Sequence, residues 1–97
     1  MRFEEITKIA RATAERRGYS LVERDSLSTN SKYFKIITED GCSLLFRISD
    51  HNTKANVITL RTDIKKLNKQ TIEKFINNRC DDLGYRHVKF LLDGGAR

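Results

Sequence analysis

The feature that most constrains the fold is a predicted β-hairpin in the middle of the chain. Two runs rich in β-branched and aromatic residues, 33–38 and 43–49, are joined by Glu39-Asp40-Gly41. Asp-Gly between such runs is a strong hairpin signature, because both residues tolerate the positive φ angles of a tight turn. Alternation along the two arms places one set of side chains on an apolar face, which we expect to form the core. This set consists of Phe34, Ile36, Leu44, Phe46 and Ile48.

The segments around the hairpin predict a helix and two further strands. Residues 3–17 have apolar side chains at steps of three and four, which predicts an amphipathic helix that ends at Gly18. Residues 19–25 alternate and predict an edge strand, and residues 57–61 predict a strand whose Ile58 and Leu60 face the core. The polar segments between these elements, 26–31 and 50–56, are expected to be loops.

A second helix is predicted towards the end of the chain. Asp63 can cap a short turn and Asn68 can cap the main helix, whose apolar side chains recur at helical spacing as far as Cys80. Gly84 is expected to end this helix, and residues 85–92 are expected to form a last strand. The order α-β-β-β-β-α-β predicts an α+β fold, with a mostly antiparallel sheet and two helices packed on one face. We expect one domain over residues 1–93 and a flexible tail over 94–97.

Composition restricts the partners and the compartment. Lys and Arg number 19 against 13 Asp and Glu, so the net charge is +6 and favours polyanions or acidic protein surfaces as partners. No run approaches the roughly 20 apolar residues of a membrane span. The first residues lack the order of a secretory signal, which predicts a cytoplasmic protein. Cys42 and Cys80 have no partner at metal-ligand spacing and are expected to be small core residues, although a bridge between them stays open.

The sheet face opposite the helices is the leading candidate site. Its cations, interleaved with an aromatic side chain, suit a phosphate backbone with a base stacked on tyrosine. Apolar Ile37, Leu45 and Val57 on that face suit a protein partner or a second copy of the chain instead, and an ordinary solvated face is the third possibility. The candidate contact residues on this face are Tyr33, Lys35, Arg47 and Arg61.

A second group of cations lies around the start of the predicted second helix. The positive end of the helix dipole adds to their charge, so this group could also hold phosphate, although a solvated helix side is the alternative. The group consists of Lys65, Lys66 and Lys69.

Ser49-Asp50-His51 is the one sequence that merits a catalytic test. A carboxylate beside an imidazole could orient a general base, but neighbours on a strand point to opposite sides and no nucleophile accompanies them. We therefore expect Asp50 to bond nearby backbone N–H groups, and His87 to be structural. Because metal-ligand clusters and glycine-rich phosphate loops are also absent from the sequence, we predict neither an enzyme nor a bound metal or cofactor.

Two strings resemble a group of small proteins encoded by phages and mobile elements. They are Ser31-Lys32-Tyr33-Phe34-Lys35-Ile36 and Leu45-Phe46-Arg47-Ile48-Ser49-Asp50-His51. The shared pattern is a Ser-x-Tyr strand followed by a strand that ends in Arg-Ile-Ser-Asp-His. The resemblance covers about a quarter of the chain and implies a phage setting rather than an activity.

The wider layout is similar to the double-stranded-RNA-binding-domain fold, which HicA-type toxins also use. Arg16-Arg17-Gly18-Tyr19 leads into a β-meander and a second helix, as in that fold. The toxins, which are small ribonucleases, have Gly-Ser-His where this chain has Asn30-Ser31-Lys32, so their catalytic histidine is missing. RNA-binding domains of this fold use lysines at the start of the last helix, which implies such a role for Lys65, Lys66 and Lys69.

Three hypotheses follow. The first is a nucleic-acid-binding module that uses the basic sheet face and the lysines of the second helix. The second is a phage-type inhibitor or adaptor, for example an anti-defence protein, that docks a host nucleic-acid-handling protein by the same face. The third and remote hypothesis is a nuclease that uses His51. No membrane partner is expected, and a homodimer stays open.

Overall fold

The computed structural model of the chain describes residues 1–24, 30–50 and 56–94. Within them, two helices and a four-stranded sheet follow one another in the order α-β-β-β-β-α. The predicted α+β class is therefore confirmed. The elements are α1 (Phe3–Arg16), β1 (Ser20–Arg24), β2 (Ser31–Ile37), β3 (Ser43–Asp50), β4 (Thr59–Thr62) and α2 (Lys69–Leu92).

Helix α1 ends where the sequence predicts. Ile6, Ala10 and Ala14 form its buried stripe. At the end of the helix Gly18 has a φ of +83°, and the N–H groups of Gly18 and Tyr19 donate to the carbonyls of two residues in the last turn. This pair of bonds is the Schellman arrangement, which needs a left-handed residue and so favours glycine.

The central hairpin is also confirmed. β2 and β3 pair antiparallel with Phe34 opposite Phe46, and the Thr38 N–H donates to the Cys42 carbonyl at 2.8 Å across the turn. Gly41 has a φ of +94°, which explains the need for glycine at this position. β1 pairs with the other side of β2, so the strand order is β1-β2-β3-β4 and β1 is the predicted edge strand.

Both helices pack on the same face of this sheet. Ile6 of α1 and Ile76 of α2 are fully buried in one cluster with Phe34 and Phe46. The Phe46 ring lies 5.5 Å from that of Phe34 and 5.7 Å from that of Phe75 in α2, between the sheet and the helix. The predicted division of the sheet into an apolar inner face and an opposite face is therefore correct. Cys42 and Cys80 are both buried and free.

Strand β4 differs from its prediction in direction and in bounds. It pairs parallel with β3, from Arg47 opposite Thr59 to Asp50 opposite Thr62. The sheet is mixed as a result, with two antiparallel pairs and one parallel pair. β4 begins beside Arg47, three residues before the end of β3. Ile58 precedes the strand and is 48% exposed, so its predicted core position is wrong.

The predicted last strand is wrong, because α2 continues through it. Asn68 caps the helix, accepting from the Thr71 N–H at 2.9 Å, and Asp63 caps the preceding turn, both as predicted. Gly84 then lies inside the helix rather than at its end. Residues 85–92, the last turns of α2, contact the rest of the fold through one side of the helix. Arg86 donates to the Ser43 carbonyl at 2.8 Å, and Phe90 packs against the core. These contacts outweigh the cost of glycine in a helix, which is about 1 kcal/mol.

The position of Gly84 leads to a prediction about stability. Gly84→Ala should raise the free energy of unfolding by about 0.5–1 kcal/mol, because alanine is the better helix former. A Cβ at this position would lie 3.6 Å from Tyr19 Oη, an ordinary contact. Gly18→Ala is the matched control and should lower the free energy of unfolding by about 1 kcal/mol, because its φ is +83°. Chemical denaturation of both variants checks the pair. Destabilisation by Gly84→Ala would mean that α2 does not pass through this residue.

The last residue of the predicted edge strand and parts of the predicted loops and tail lie outside the described residues, namely residues 25–29, 51–55 and 95–97. Neither of the two helices combines the length and the apolar composition that crossing a bilayer requires, over the part of the chain that the structure describes.

Candidate nucleic-acid interface on the outer sheet face

Alternation along each strand defines the sheet face that points away from the helices, which we name the outer face. Its described members share one orientation because the register of the strand pairs places them side by side. They are Ser20, Val22 and Arg24 of β1, Ser31, Tyr33, Lys35 and Ile37 of β2, Ser43, Leu45, Arg47 and Ser49 of β3, and Thr59 and Arg61 of β4.

The charges on the outer face have a single sign. Four cations project from it, and among its described members there is no carboxylate. Glu23 of β1 points to the helix side, where it forms an ion pair with Lys32 and accepts a hydrogen bond from Thr7. The hydrogen bond from Lys32 is the main cause that lowers the pKa of Glu23 from its ordinary value. The cations are Arg24, Lys35, Arg47 and Arg61.

The strand register aligns the central part of the face into rows. One row runs across all four strands as Arg24, Tyr33, Arg47 and Thr59. With strands about 4.8 Å apart, the backbones of the two arginines lie roughly 10 Å from each other with the tyrosine between them. The next row holds Lys35 between two apolar side chains. Tyr33, the single aromatic side chain among the described outer-face residues, thus has Arg24 and Arg47 on its two sides in the row and Lys35 in the next row.

Exposure divides these candidates into two groups. Arg61 is exposed, and Tyr33 and Lys35 are half-buried, so all three reach the surface as expected. Arg47 is only 5% exposed, which contradicts the expectation of a solvated side chain. It lies in an interior strand, opposite Tyr33 on one side and Thr59 on the other, and its Nε donates to Thr59 Oγ1 at 3.3 Å.

The three lysines of the second predicted cluster do not join the outer face. Lys65 and Lys66 lie in the turn that follows β4, and Lys69 is the first residue of α2. All three are exposed. Because α2 packs on the inner face, these lysines form a separate basic group on the helix layer. Their predicted contact with nucleic acid stays a prediction.

The Ser49-Asp50-His51 sequence is only partly described. His51 lies outside the described residues. Asp50 ends β3, and its Oδ1 accepts from the Ile64 N–H at 3.2 Å, so it ties the end of that strand to the turn after β4. This bond to a backbone N–H is the role predicted for Asp50.

A second surface feature is a cleft of about 300 Å³ between the hairpin turn and α2. His87 Nε2 lies 2.8 Å from Asp40 Oδ2, and the Thr38 hydroxyl donates to Asp40 Oδ1 at 2.5 Å. These two bonds, that of His87 first, lower the pKa of Asp40 below its ordinary value. His87 thus joins the hairpin to the helix, a structural role as predicted, although on a helix rather than a strand. With Glu39 beside Asp40, the cleft repels phosphate and does not suit a nucleic acid.

Two residues of the outer face were missed by the sequence reasoning. The sequence predicts an edge strand over residues 19–25, but it does not single out Arg24 or Val22 as contact residues. The alternation of Ser20, Val22 and Arg24 is visible in the sequence, but no two-residue turn motif such as Asp-Gly separates this run from the next one. The sequence therefore leaves open which β2 residues lie beside them.

The fold and this surface define the class of the molecule: a two-layer α+β domain with a basic, partly apolar open sheet face. Comparison of the chain with protein-family models, with curated proteins and with solved structures gives no match. The resemblance to phage-encoded proteins and to the double-stranded-RNA-binding-domain fold therefore stays a prediction.

Proposed function

We propose that the protein is a nucleic-acid-binding module and that the outer face is its contact surface. The observation that carries the proposal is the charge of this face: four cations and no carboxylate among its described members. The acidic side chains of the described residues lie in the helices, in the turns or on the inner face. A face of one sign attracts a polyanion and positions its phosphates.

Arg24 and Lys35 are the phosphate contacts that the proposal depends on most. Arg24 is exposed on the edge strand, and Lys35 lies one row away on the neighbouring strand. Within the described residues neither side chain makes an ion pair, so binding a phosphate would not require either to give up a carboxylate partner. Arg61 extends the same surface from the opposite edge strand.

The proposal predicts a specific response to salt and to mutation. Each phosphate contact contributes about 0.7 for a single strand, or about 0.9 for a duplex, to the slope of log affinity against log salt concentration. The double variant Arg24→Gln/Lys35→Gln should therefore bind oligonucleotides roughly 30-fold more weakly at about 0.15 M salt, with a slope flatter by about 1.4 for single strands and about 1.8 for duplexes. Fluorescence anisotropy of labelled DNA and RNA oligonucleotides over a series of salt concentrations measures both quantities.

The matched control is Lys8→Gln/Lys89→Gln, which removes two exposed positive charges from the helices. It should retain most of the affinity and the slope, because these lysines lie away from the outer face. Equal losses in the two double variants would show that net charge rather than this face governs binding. A partner that survives nuclease treatment, with no measurable oligonucleotide affinity, would favour the protein-docking hypothesis and reject the proposal.

A further inference from the structure

The surroundings of Tyr33 distinguish between single-stranded and double-stranded ligands. Tyr33 lies on an interior strand, half-buried, with Arg24 and Arg47 beside it in its row and Lys35 two residues along β2. An aromatic ring in this position can stack on a base whose flanking phosphates reach the accessible cations beside it, Arg24 and Lys35. Base–aromatic stacking is available only where the base is not already stacked and paired within a duplex.

The residues in the rows next to Tyr33 also favour a single-stranded ligand. Val22 and Leu45 flank Lys35, and Ile37 follows in the next row. Val22 is 40% exposed, and the other two are partly exposed. A duplex presents phosphates and sugars to a protein surface, and these would be placed against apolar side chains here without compensation. The bases of a single strand have apolar faces that can cover such side chains while the phosphates contact the cations between them.

The spacing of these side chains also suits an extended single strand of nucleic acid. Tyr33 and Lys35 are separated by about 7 Å along β2, and Arg24 lies about 5 Å to the side of Tyr33. Long, flexible lysine and arginine side chains at these distances can contact the phosphates on either side of one stacked base. A flat sheet touches a cylindrical duplex along a narrow line only, so most of these groups would not contact it at once.

We infer that the ligand is single-stranded nucleic acid with a base stacked on Tyr33. The inference rests on the proposed function and names the form of nucleic acid that the outer face takes. Tyr33 is then the residue that makes the protein prefer single strands to duplexes, whereas Arg24 and Lys35 bind phosphate in either form.

The test compares a 5′-labelled single-stranded 12-mer with a duplex hairpin of the same number of phosphates by fluorescence anisotropy, at about 0.15 M salt. The single strand should bind at least tenfold more tightly. Tyr33→Leu should weaken binding of the single strand by about tenfold, through the loss of one stacked base, and leave the affinity for the hairpin unchanged. Tyr33→Phe retains the ring and should retain the affinity. Tyr85→Leu, which changes a tyrosine 79% exposed on α2, is the matched control and should have no effect.

A second measurement uses the unmodified protein, so it does not depend on how well the variants fold. An oligonucleotide with 5-iodouracil, irradiated in complex with the protein, should yield an adduct that mass spectrometry assigns to Tyr33. Equal affinity for hairpin and single strand, or cross-linking only at other residues, overturns the inference but leaves the proposed function in place. Absence of any binding that depends on Arg24 and Lys35 rejects the proposed function itself.

Discussion

Replacement of Phe46 by alanine is expected to lower the free energy of unfolding by about 3–5 kcal/mol. The Phe46 side chain is fully buried at the centre of β3. Its ring stacks on that of Phe34 and meets that of Phe75 edge to face, so it joins the sheet to α2. The loss of the ring removes apolar contacts on both sides and leaves a cavity that two layers of regular structure cannot readily fill.

Urea denaturation followed by circular dichroism measures this loss. Leu92→Ala is the control, because it also truncates a large apolar side chain but at a position 82% exposed, and it should change the free energy of unfolding by no more than about 0.5 kcal/mol. A loss below about 1 kcal/mol for Phe46→Ala would indicate that β3 is shifted by one residue. Such a shift would exchange the inner and outer faces.

Arg47→Ala is expected to destabilise the protein by about 2 kcal/mol, even though Arg47 lies on the outer face. The side chain is 5% exposed, its strand neighbours are Tyr33 and Thr59, and its Nε donates to the Thr59 hydroxyl. Truncation removes the packing of this buried side chain and its hydrogen bond to the edge strand β4. Thermal and urea denaturation should both report the change.

Arg61→Ala provides the comparison for Arg47→Ala. Arg61 lies on the same face but on the edge strand and is exposed, so its truncation should cost no more than about 0.5 kcal/mol. Arg47→Met retains a long apolar stem and should recover part of the lost stability. If Arg47→Ala and Arg61→Ala had equally small effects on stability, the Arg47 side chain would have to be solvated, as alternation alone predicts.

Much of the fold could be predicted because its signals are local. The hairpin depends on Asp40-Gly41 between two alternating runs, and the end of α1 depends on Gly18 after a helical stripe. The cap of α2 and that of the turn before it likewise depend on neighbouring residues, since Asn68 and Asp63 bond N–H groups three and two residues further along. In each case the atoms that form the structure are close in sequence, so the residue types themselves indicate it.

The end of α2 shows where local signals fail. Gly84 is a poor helix residue, and the pattern after it can also be read as a strand. Contacts with distant residues decide the outcome: His87 bonds Asp40 of the hairpin turn, and Arg86 bonds the Ser43 carbonyl. Because these contacts join segments more than forty positions apart, no window of the sequence contains both partners.

Alternation along the sequence is enough to assign side chains to the two faces of each strand. The positions of Phe34, Phe46, Tyr33 and Lys35 on their faces follow from it. The position of Arg24 beside Tyr33 and the burial of Arg47 are visible only in the folded chain. The reason is that exposure and adjacency depend on which strands pair, in which register and direction, and these are set by the packing of the whole sheet.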